Sequence, residues 1–267
     1  MTKKKELALS NAKIAIVFFV FLAVIVAISL IFKIILVVRA GQFNDFQRFT
    51  ISVSDSGNTE IMSLFPSAKT IAILKIDKNI KFSDAGKFLE IPIDGFAVSN
   101  SLGLNQKPAR FFFNAILNYN NIHTNLTIVD ILRLFLFART VPEGEIIVKK
   151  ISQDLSSIET DKIVGRLVSD ELVGKDNQTI RIINGTDVAG LGNRLARLIA
   201  NMGGNVIIVA TSSSPQNKSK ISYIDKETYT VRRLTKILKY ETIRENNNAI
   251  SDITITIGDD KINTSPF

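Results

Sequence analysis

The chain contains no cysteine and a single histidine, His123, among its 267 residues. The absence of cysteine excludes disulfide bonds, cysteine-ligated zinc, iron–sulfur clusters and thiol catalysis. One histidine excludes a metal site built from several histidines. His123 stands in the polar stretch NYNNIHTN with no partner at a recognisable spacing, so we expect a surface histidine. The sequence therefore predicts no cofactor and no metal site, and its stability must come from a buried core.

The formal net charge is +8, but the basic excess is concentrated at the amino terminus. Residues 1–39 carry six basic side chains against Glu6, whereas residues 40–267 carry 27 basic and 24 acidic groups. A net charge of only +3 over residues 40–267 is a poor electrostatic footprint for nucleic acid. We therefore expect no nucleic-acid partner.

An apolar run without a charge extends from Ile14 to Phe32. A helix of that length spans roughly 28 Å, close to the hydrocarbon thickness of a bilayer. Four lysines precede the run and predict that the amino terminus stays in the cytoplasm: Lys3, Lys4, Lys5 and Lys13. A cleaved signal peptide, the alternative, has an apolar stretch of about 7–15 residues and an A-x-A-like site, which does not follow this run. We predict a cytoplasmic tail at 1–13, a transmembrane helix at 14–38 in the plasma membrane, and an extracytoplasmic remainder.

Residues 41–175 begin with three short β-rich runs, which are separated by the turn sequences DSGN and PSA: Arg48–Ser54, Thr59–Phe65 and Thr70–Ile76. Such short connections predict an antiparallel meander. Leu89–Asn100 is predicted as a further strand or strand edge, and helices are predicted at Ala109–Tyr119 and Leu126–Thr140. In the second helix we expect Thr127 to be the N-cap. Its apolar face should consist of Ile128, Ile131, Leu132, Phe135 and Leu136.

Residues 176–262 alternate strands and helices after a polar linker at Gly174–Gln178. The predicted order is a strand at Thr179–Asn184, a helix at Leu191–Met202, strands at Asn205–Thr211 and Lys220–Ile224, a helix at Lys226–Lys239 and a strand at Ser251–Gly258. This βαββαβ order is typical of a small two-layer domain. The fold class is therefore α/β (α+β). It comprises one transmembrane helix, a small mixed α/β region with an antiparallel meander, and a two-layer carboxyl-terminal domain.

Two candidate binding sites fall in this last region. The first is the loop NGTDVAG, where free N–H groups at the start of the following helix could hold an anion; its residues are Asn184, Gly185, Thr186 and Gly190. The alternative is that these residues only turn the chain and cap the helix. The second is a basic face on the two helices that would suit an anionic polymer: Arg194, Arg197, Arg232, Arg233 and Lys236. The alternative is a solvated helix surface.

The run IRIINGTDVAGLGNRLARLIANMGGNVIIV and the closing SDITITIGDD resemble the LytR carboxyl-terminal domain. That domain has a strand ending in NGT, then G-L-A and a helix, and it ends in D-[IV]-x-[IV]-x-[IL]-G-D. The usual GLA is GLG here. The meander and the segment IPIDGF, Ile91–Phe96, resemble a shortened LytR-CpsA-Psr domain. That family has RSDT before the second strand and SIPRDT after the third, whereas this chain has SGNTE, Ser56–Glu60, and LKIDKN, Leu74–Asn79.

The resemblance implies a membrane-anchored cell-envelope protein. In the family, the arginine and aspartate of those motifs bind a lipid pyrophosphate and its magnesium, and a bidentate arginine cannot be replaced by Lys78 without loss. Their absence favours a non-catalytic protein that binds anionic cell-wall polymer or envelope proteins. The alternative is a magnesium-dependent glycopolymer phosphotransferase, with Asp77 and Asp94 as the nearby carboxylates. Transcriptional attenuation by DNA binding, which the family's historical label implies, conflicts with a domain outside the cytoplasm.

Overall fold

The structure, a computed structural model, describes residues 2–76, 80–100, 102–104, 106–152, 154–245, 250–263 and 266–267, with side chains from residue 16 onward. The chain divides into two compact units, Met1–Gly41 and Gln42–Phe267. The first unit is one long helix, α1 (Thr2–Arg39). Its part Ile16–Arg39 has a mean hydropathy of 3.1, none of it is buried, and it is long and apolar enough to cross a membrane.

The amino-terminal half of the second unit is built on a six-stranded sheet with helices on its two faces. Its strands lie in the order β5-β4-β1-β2-β3-β6. The elements are β1 (Phe49–Asp55), β2 (Asn58–Phe65), β3 (Thr70–Ile76), α2 (Ala85–Leu89), β4 (Gly95–Ser99), α3 (Pro108–Leu117), β5 (His123–Thr124), α4 (Ile128–Thr140), β6 (Ile146–Ile151), α5 (Ser157–Val168) and α6 (Glu171–Asp176). The first three strands form the predicted antiparallel meander, and β4 and β6 join its edges in parallel.

Helix α4 shows both a confirmed and a wrong prediction. Thr127 caps it as expected, in a capping box in which Asp130 supplies the second half. The apolar face differs, because Ile128, Leu132 and Leu136 are exposed and the residues turned inward are Asp130, Ile131, Leu134, Phe137 and Ala138. Asp130 faces inward because it accepts hydrogen bonds from the backbone N–H groups of Gln42 and Phe43, and Ile128, Leu132 and Leu136 therefore lie on the exposed side of the helix.

The segment predicted as a strand at Leu89–Asn100 is extended only in part. Its first residue ends helix α2, and Glu90 follows in the left-handed conformation with φ 49°. Strand β4 then runs parallel to β1 and covers Gly95–Ser99 alone. A Cβ atom at Gly95 would lie 2.5 Å from Leu126 Cδ2, so a side chain there would displace the buried Leu126.

The carboxyl-terminal half carries a five-stranded mixed sheet in the order β10-β9-β11-β7-β8. Its elements are β7 (Thr179–Asn184), α7 (Leu191–Asn201), β8 (Asn205–Thr211), β9 (Lys220–Tyr223), α8 (Tyr229–Leu238), β10 (Glu241–Arg244) and β11 (Ile253–Ile257). The predicted βαββαβ elements are all present. The sequence prediction missed β10, an edge strand. All four of its residues, ETIR, are exposed, so the sequence shows no alternation of buried and exposed positions there.

Three hydrophobic clusters stabilise the second unit, and all their members belong to residues 43–267. One fills the space between the six-stranded sheet and helices α3 and α4, and a second packs α2 and α5 on the same sheet. The third joins α7 and α8 to the five-stranded sheet and includes Val173 of α6. The first three residues of the polar segment Gly174–Gln178, predicted as a linker, end helix α6, which contributes Val173 to this core. Residues 42–267 contain a complete core of their own.

Candidate functional site

The predicted anion loop is a turn that bonds to itself. Asn184 ends β7, and its Oδ1 accepts hydrogen bonds from Thr186 N at 3.2 Å and Thr186 Oγ1 at 2.8 Å. Its Nδ2 donates to Val188 O at 2.9 Å, and Val188 N donates to Thr186 Oγ1 at 3.2 Å. Asn184 and Thr186 are both buried. The side chains thus satisfy the loop's own backbone groups, which favours the turn-forming role over anion binding.

Gly185 is needed for close approach rather than for a positive φ. Its N–H donates to Ile257 O at 2.9 Å, and its carbonyl accepts from Gln216 N at 2.7 Å. A Cβ atom there would lie 2.4 Å from Gln216 Cγ, so no side chain fits. The positive φ, 80°, occurs instead at Gly190, which precedes α7 without a capping side chain. Backbone hydrogen bonds therefore fix the loop to Ile257 of β11 and to Gln216 in the segment after β8.

The predicted basic face of α7 is engaged by carboxylates of the amino-terminal half. Arg194 Nε donates to Glu90 Oε1 at 2.9 Å. Arg197 makes a two-point contact with Asp161, with Nε 2.8 Å from Oδ2 and Nη2 3.0 Å from Oδ1. The hydrogen bond with Asp161 raises the pKa of Arg197 above its ordinary value. Asn201, on the same helix, donates to the carbonyl oxygens of Leu89 and Glu90. These contacts join the two halves of the unit.

Arg233 does not lie on an exposed face, because its side chain is 2% exposed. Its two terminal nitrogens lie 2.5 and 2.9 Å from the carboxylate oxygens of Asp94, and its Nε is 3.7 Å from Asp170 Oδ2. Tyr229 donates to the same Asp170 oxygen at 2.6 Å. Burial alone would lower the pKa of Arg233, but the charge and hydrogen bonds of Asp94 outweigh it and raise the pKa above its ordinary value. Asp94, which the sequence placed in IPIDGF, is therefore the partner of a buried arginine.

A second buried arginine, Arg48, lies in the same region. It donates to Leu167 O at 2.8 Å and to Ser63 Oγ at 3.1 Å, and its guanidinium stacks 4.4 Å from the centre of the Phe65 ring. Burial lowers its pKa to about 10, against the attraction of Asp170. The buried network of arginines and aspartates thus spans both halves of the unit.

The last two residues of the predicted basic face have different surroundings. Arg232 is exposed and donates to Glu227 O at 3.1 Å. Lys236 is also exposed, and its Nζ lies 3.4 Å from Gln42 O, 3.9 Å from Asp94 Oδ1 and 5.8 Å from the centre of the Phe49 ring. Of the five predicted residues, four therefore have a carboxylate within 4.0 Å.

Lys236 lines a cleft between the two halves of the unit, which we call the lysine cleft. It has a volume of about 680 Å³, and its polar lining is Gln42, Asp94, Asn125, Lys236, Lys239 and Lys261. Because Asp94 is already paired with Arg233, the exposed Lys236 and Lys239 add positive charge to the cleft. The sequence prediction counted both Lys236 and Lys239 among the basic residues of its second helix. It missed Lys261, which the chain after β11 brings to the cleft. The arrangement can bind an anion.

A second cavity, of about 430 Å³, lies where β2 begins and β3 ends. Glu60 is buried there, and its Oε1 lies 3.3 Å from Lys75 Nζ. Burial raises the pKa of the Glu60 carboxyl, in opposition to Lys75. Glu60 and Lys75 face each other across the β2–β3 register, a pairing that the meander prediction could have found. Asp77, Lys78 and Asn79, which stand where the LytR-CpsA-Psr family has its SIPRDT motif, lie outside the described residues.

His123 and the arginines of α3 and α4 do not reach this cavity. His123 is exposed on β5, with its ring 5.2 Å from the Phe96 ring. Arg110, Arg133 and Arg139 lie on α3 and α4, and none of them lines the cavity. Over the part of the chain that the structure describes, no three histidine, aspartate or glutamate side chains come together in a way that could hold a metal ion.

Residues 177–260 match the family model described as LytR cell envelope-related transcriptional attenuator. This confirms the resemblance that the NGT loop and the closing strand predicted for the carboxyl-terminal half. No curated protein matches the chain.

Three solved structures are similar to parts of the chain. They are the transcriptional regulator yvhJ of Bacillus subtilis (14% identity, 46% of this chain and 97% of that one, TM-score 0.33), the Lin1025 protein of Listeria innocua (12% identity, 40% and 82%, TM-score 0.28), and TagV of Bacillus subtilis (13% identity, 41% and 85%, TM-score 0.28).

Proposed function

We propose that this chain, whose carboxyl-terminal half is a LytR carboxyl-terminal domain, is a single-pass membrane protein that binds anionic cell-wall polymer outside the cytoplasm without transferring it. The observation that carries the proposal is the lysine cleft, formed by both halves of the unit. Envelope proteins with an acidic surface are the second kind of partner that the cleft would suit.

The charges around the cleft support an anionic ligand. Lys236, Lys239 and Lys261 line it, and the Asp94 carboxylate is held by two nitrogens of the buried Arg233. Asp94 is therefore neutralised by a group that does not face the ligand. Asn125 and Gln42 also line the cleft, where their side-chain amides donate to Asp94 O and Asn125 O. A chain of phosphates or carboxylates would gain several charge-assisted contacts of this kind at once.

The amino-terminal helix supports the placement outside the cytoplasm. Four lysines lie in the sequence before its apolar segment, and the part Ile16–Arg39 is long enough to cross a bilayer. Uncleaved, it would leave residues 42–267 as an extracytoplasmic unit tethered to the plasma membrane. Protease added to intact, wall-stripped cells should then digest residues 42–267 and spare a tag on Met1.

The binding test uses purified residues 42–267 and wall fragments with and without their phosphate-bearing polymer. We expect retention only on the polymer-bearing fragments, weakened by salt because the contacts are between exposed charges. The double variant Lys236→Gln, Lys239→Gln should bind about tenfold more weakly. The matched control is Lys149→Gln, Lys162→Gln, which removes the same charge from exposed positions on β6 and α5. Equal weakening by both pairs would contradict a role for the cleft.

The alternative, a magnesium-dependent phosphotransferase, would use the cavity at Glu60. Glu60 Oε2 is buried without a hydrogen-bond partner, which is the observation that favours a cation there. The described lining of this cavity has the carboxylates of Asp55 and Glu60 beside Lys75, but it has no guanidinium that would stabilise charge on a departing phosphate. We expect purified residues 42–267 to show no magnesium-dependent turnover of a polyprenyl-pyrophosphate glycan. Turnover that Glu60→Gln abolishes would establish the transferase instead.

A further inference from the structure

Helices α3 and α4 each expose a row of large apolar side chains, and nothing in the described chain covers them. Phe113 and Leu117 lie on α3, and Ile128, Leu132 and Leu136 lie on α4; Leu117 and Leu136 are 67% and 51% exposed. The two rows meet where the Phe113 and Phe135 rings pack 5.6 Å apart. We call these five residues the α3–α4 apolar face. A contiguous exposed apolar patch of this kind marks a surface that interacts with another protein or with a membrane.

The charges on these two helices are all of one sign at the surface. The exposed Arg110 and Arg139 and the half-buried Arg133 are their charged groups apart from Asp130, which is fully buried. Arg139 also lies over the Phe135 ring, at 5.6 Å from its centre. The exposed Asp45 lines a cavity with Arg133 and Leu136, and the exposed Lys69 lines the same cavity. The two helices themselves expose apolar side chains and arginines without a carboxylate, a composition typical of helices that lie in the interface of an anionic bilayer.

Few residues separate the apolar segment from the backbone groups that bond to α4. Arg39 ends that segment, and Gln42 is only three residues further on, a span of at most about 10 Å. Gln42 N and Phe43 N donate to Asp130 in the first turn of α4 at 2.8 and 2.9 Å, and Arg133 donates to Phe43 O at 3.4 Å. Leu136 is about 9 Å along the helix axis from Asp130.

From these observations we infer that the α3–α4 apolar face lies against the outer surface of the membrane and binds anionic phospholipid headgroups through Arg110, Arg133 and Arg139. The inference rests on the proposed membrane anchor but not on the proposed polymer ligand. Such a contact would turn one face of the extracytoplasmic unit toward the membrane, whereas a unit held only by its anchor would rotate freely. The hydrogen bonds of Gln42 and Phe43 are the element that would set this orientation.

The test is made on the full-length protein in vesicles whose lipids carry brominated acyl chains. The chain contains no tryptophan, so a single introduced tryptophan reports on its own position. Leu136→Trp should be strongly quenched by brominated lipid, whereas Ile158→Trp, at a 78% exposed position on α5, should not be. Equal fluorescence of Leu136→Trp in brominated and ordinary lipid would overturn the inference.

A second arm uses residues 42–267, which contain a complete core, with vesicles of phosphatidylglycerol or phosphatidylcholine. The double variant Leu132→Ser, Leu136→Ser should lower partitioning about thirtyfold, and the control Ile158→Ser should leave it unchanged. Arg110→Gln with Arg139→Gln should remove the preference for phosphatidylglycerol.

A dimer that forms through Leu132 and Leu136 in the absence of vesicle binding would overturn the inference in favour of a second copy. Loss of polymer binding with quenching intact would overturn the proposed function alone.

Discussion

The buried contact between Arg233 and Asp94 should be worth several kcal/mol to the unit formed by residues 42–267. Arg233→Met keeps much of the side-chain volume but removes the cation that lies between Asp94 and Asp170. Both carboxylates are 2% exposed and would then face an apolar thioether. Removing one partner of a buried ion pair costs about 3–5 kcal/mol, because the remaining charge is left uncompensated.

Urea unfolding of residues 42–267, followed by circular dichroism, measures the loss in the free energy of unfolding that Arg233→Met causes. The control is Arg232→Met on the same helix, where an exposed side chain should contribute less than about 0.5 kcal/mol. Adding Asp94→Asn to Arg233→Met should recover part of the loss, because one of the two stranded charges is removed and the amide oxygen can still accept from Thr50 N.

Two results would refute this reasoning. A cost below about 1 kcal/mol for Arg233→Met would mean that the carboxylates are readily hydrated in the unit. Strict additivity of the two substitutions would mean that Arg233 and Asp94 do not interact. Because this pair joins the two halves, we also expect Arg233→Met to separate their unfolding into two transitions.

Three further predictions concern other contacts. Leu198→Ala should cost about 2–5 kcal/mol in urea unfolding, because Leu198 is fully buried in the third cluster. Arg194→Ala should cost about 1 kcal/mol, because it removes the nearest cation of the buried Glu90 but leaves Arg197 at 4.0 Å, and Arg194 is itself partly exposed. Gly185→Ala should lower the melting temperature sharply, because its Cβ would overlap Gln216; Gly144→Ala, with no atom within 4 Å, is the control. For Glu60, burial raises the folded-state pKa, so its contribution to stability is present below the ordinary carboxyl pKa and is lost as the pH rises through the folded value. Glu60→Gln should therefore gain stability over the wild type above that window and not below it, and an unchanged difference across pH would contradict the raised pKa.

Local sequence signals predicted the elements that depend on neighbours in the chain. The meander follows from its two short turns, and the cap at Thr127 follows from Asp130 three residues later. The apolar face of α4 did not follow, because its orientation is set by Gln42 and Phe43, which lie 87 to 88 residues before their partner. Periodicity identifies an apolar stripe but not the side of the helix that the rest of the fold covers.

Prediction of the candidate site from the sequence was limited for the same reason, because its residues pair with distant parts of the chain. The basic residues of α7 and α8 were visible in the sequence, but their carboxylate partners are distant: Arg233 and Asp94 are 139 residues apart, and Arg194 and Glu90 are 104 apart. A charge run on a helix cannot distinguish a binding face from one that pairs with another part of the same chain. The turn at Asn184 was easier to predict, because the Asn184 side chain bonds only to residues within four positions of it.

The domain boundary at residues 176–262 leads to a final prediction. The third cluster includes Val173 and Phe267, both 2% exposed, which those boundaries leave out. They also cut away Asp170, whose side chain accepts from Tyr229 and caps α6. We propose residues 169–267 as the domain. Loss of a buried phenylalanine costs about 3–5 kcal/mol, a large share of the stability of a domain of this size.

Expressed alone, residues 169–267 should therefore melt in one cooperative transition, whereas residues 176–262 should melt at a much lower temperature or not cooperatively. Phe267→Ala in the longer fragment is the matched control and should account for most of the difference. Equal melting of the two fragments would mean that Val173 and Phe267 pack on the domain without supporting it. A longer fragment that stays unfolded would mean that the carboxylates of the amino-terminal half, through Arg194, Arg197 and Arg233, are required for the carboxyl-terminal half to fold at all.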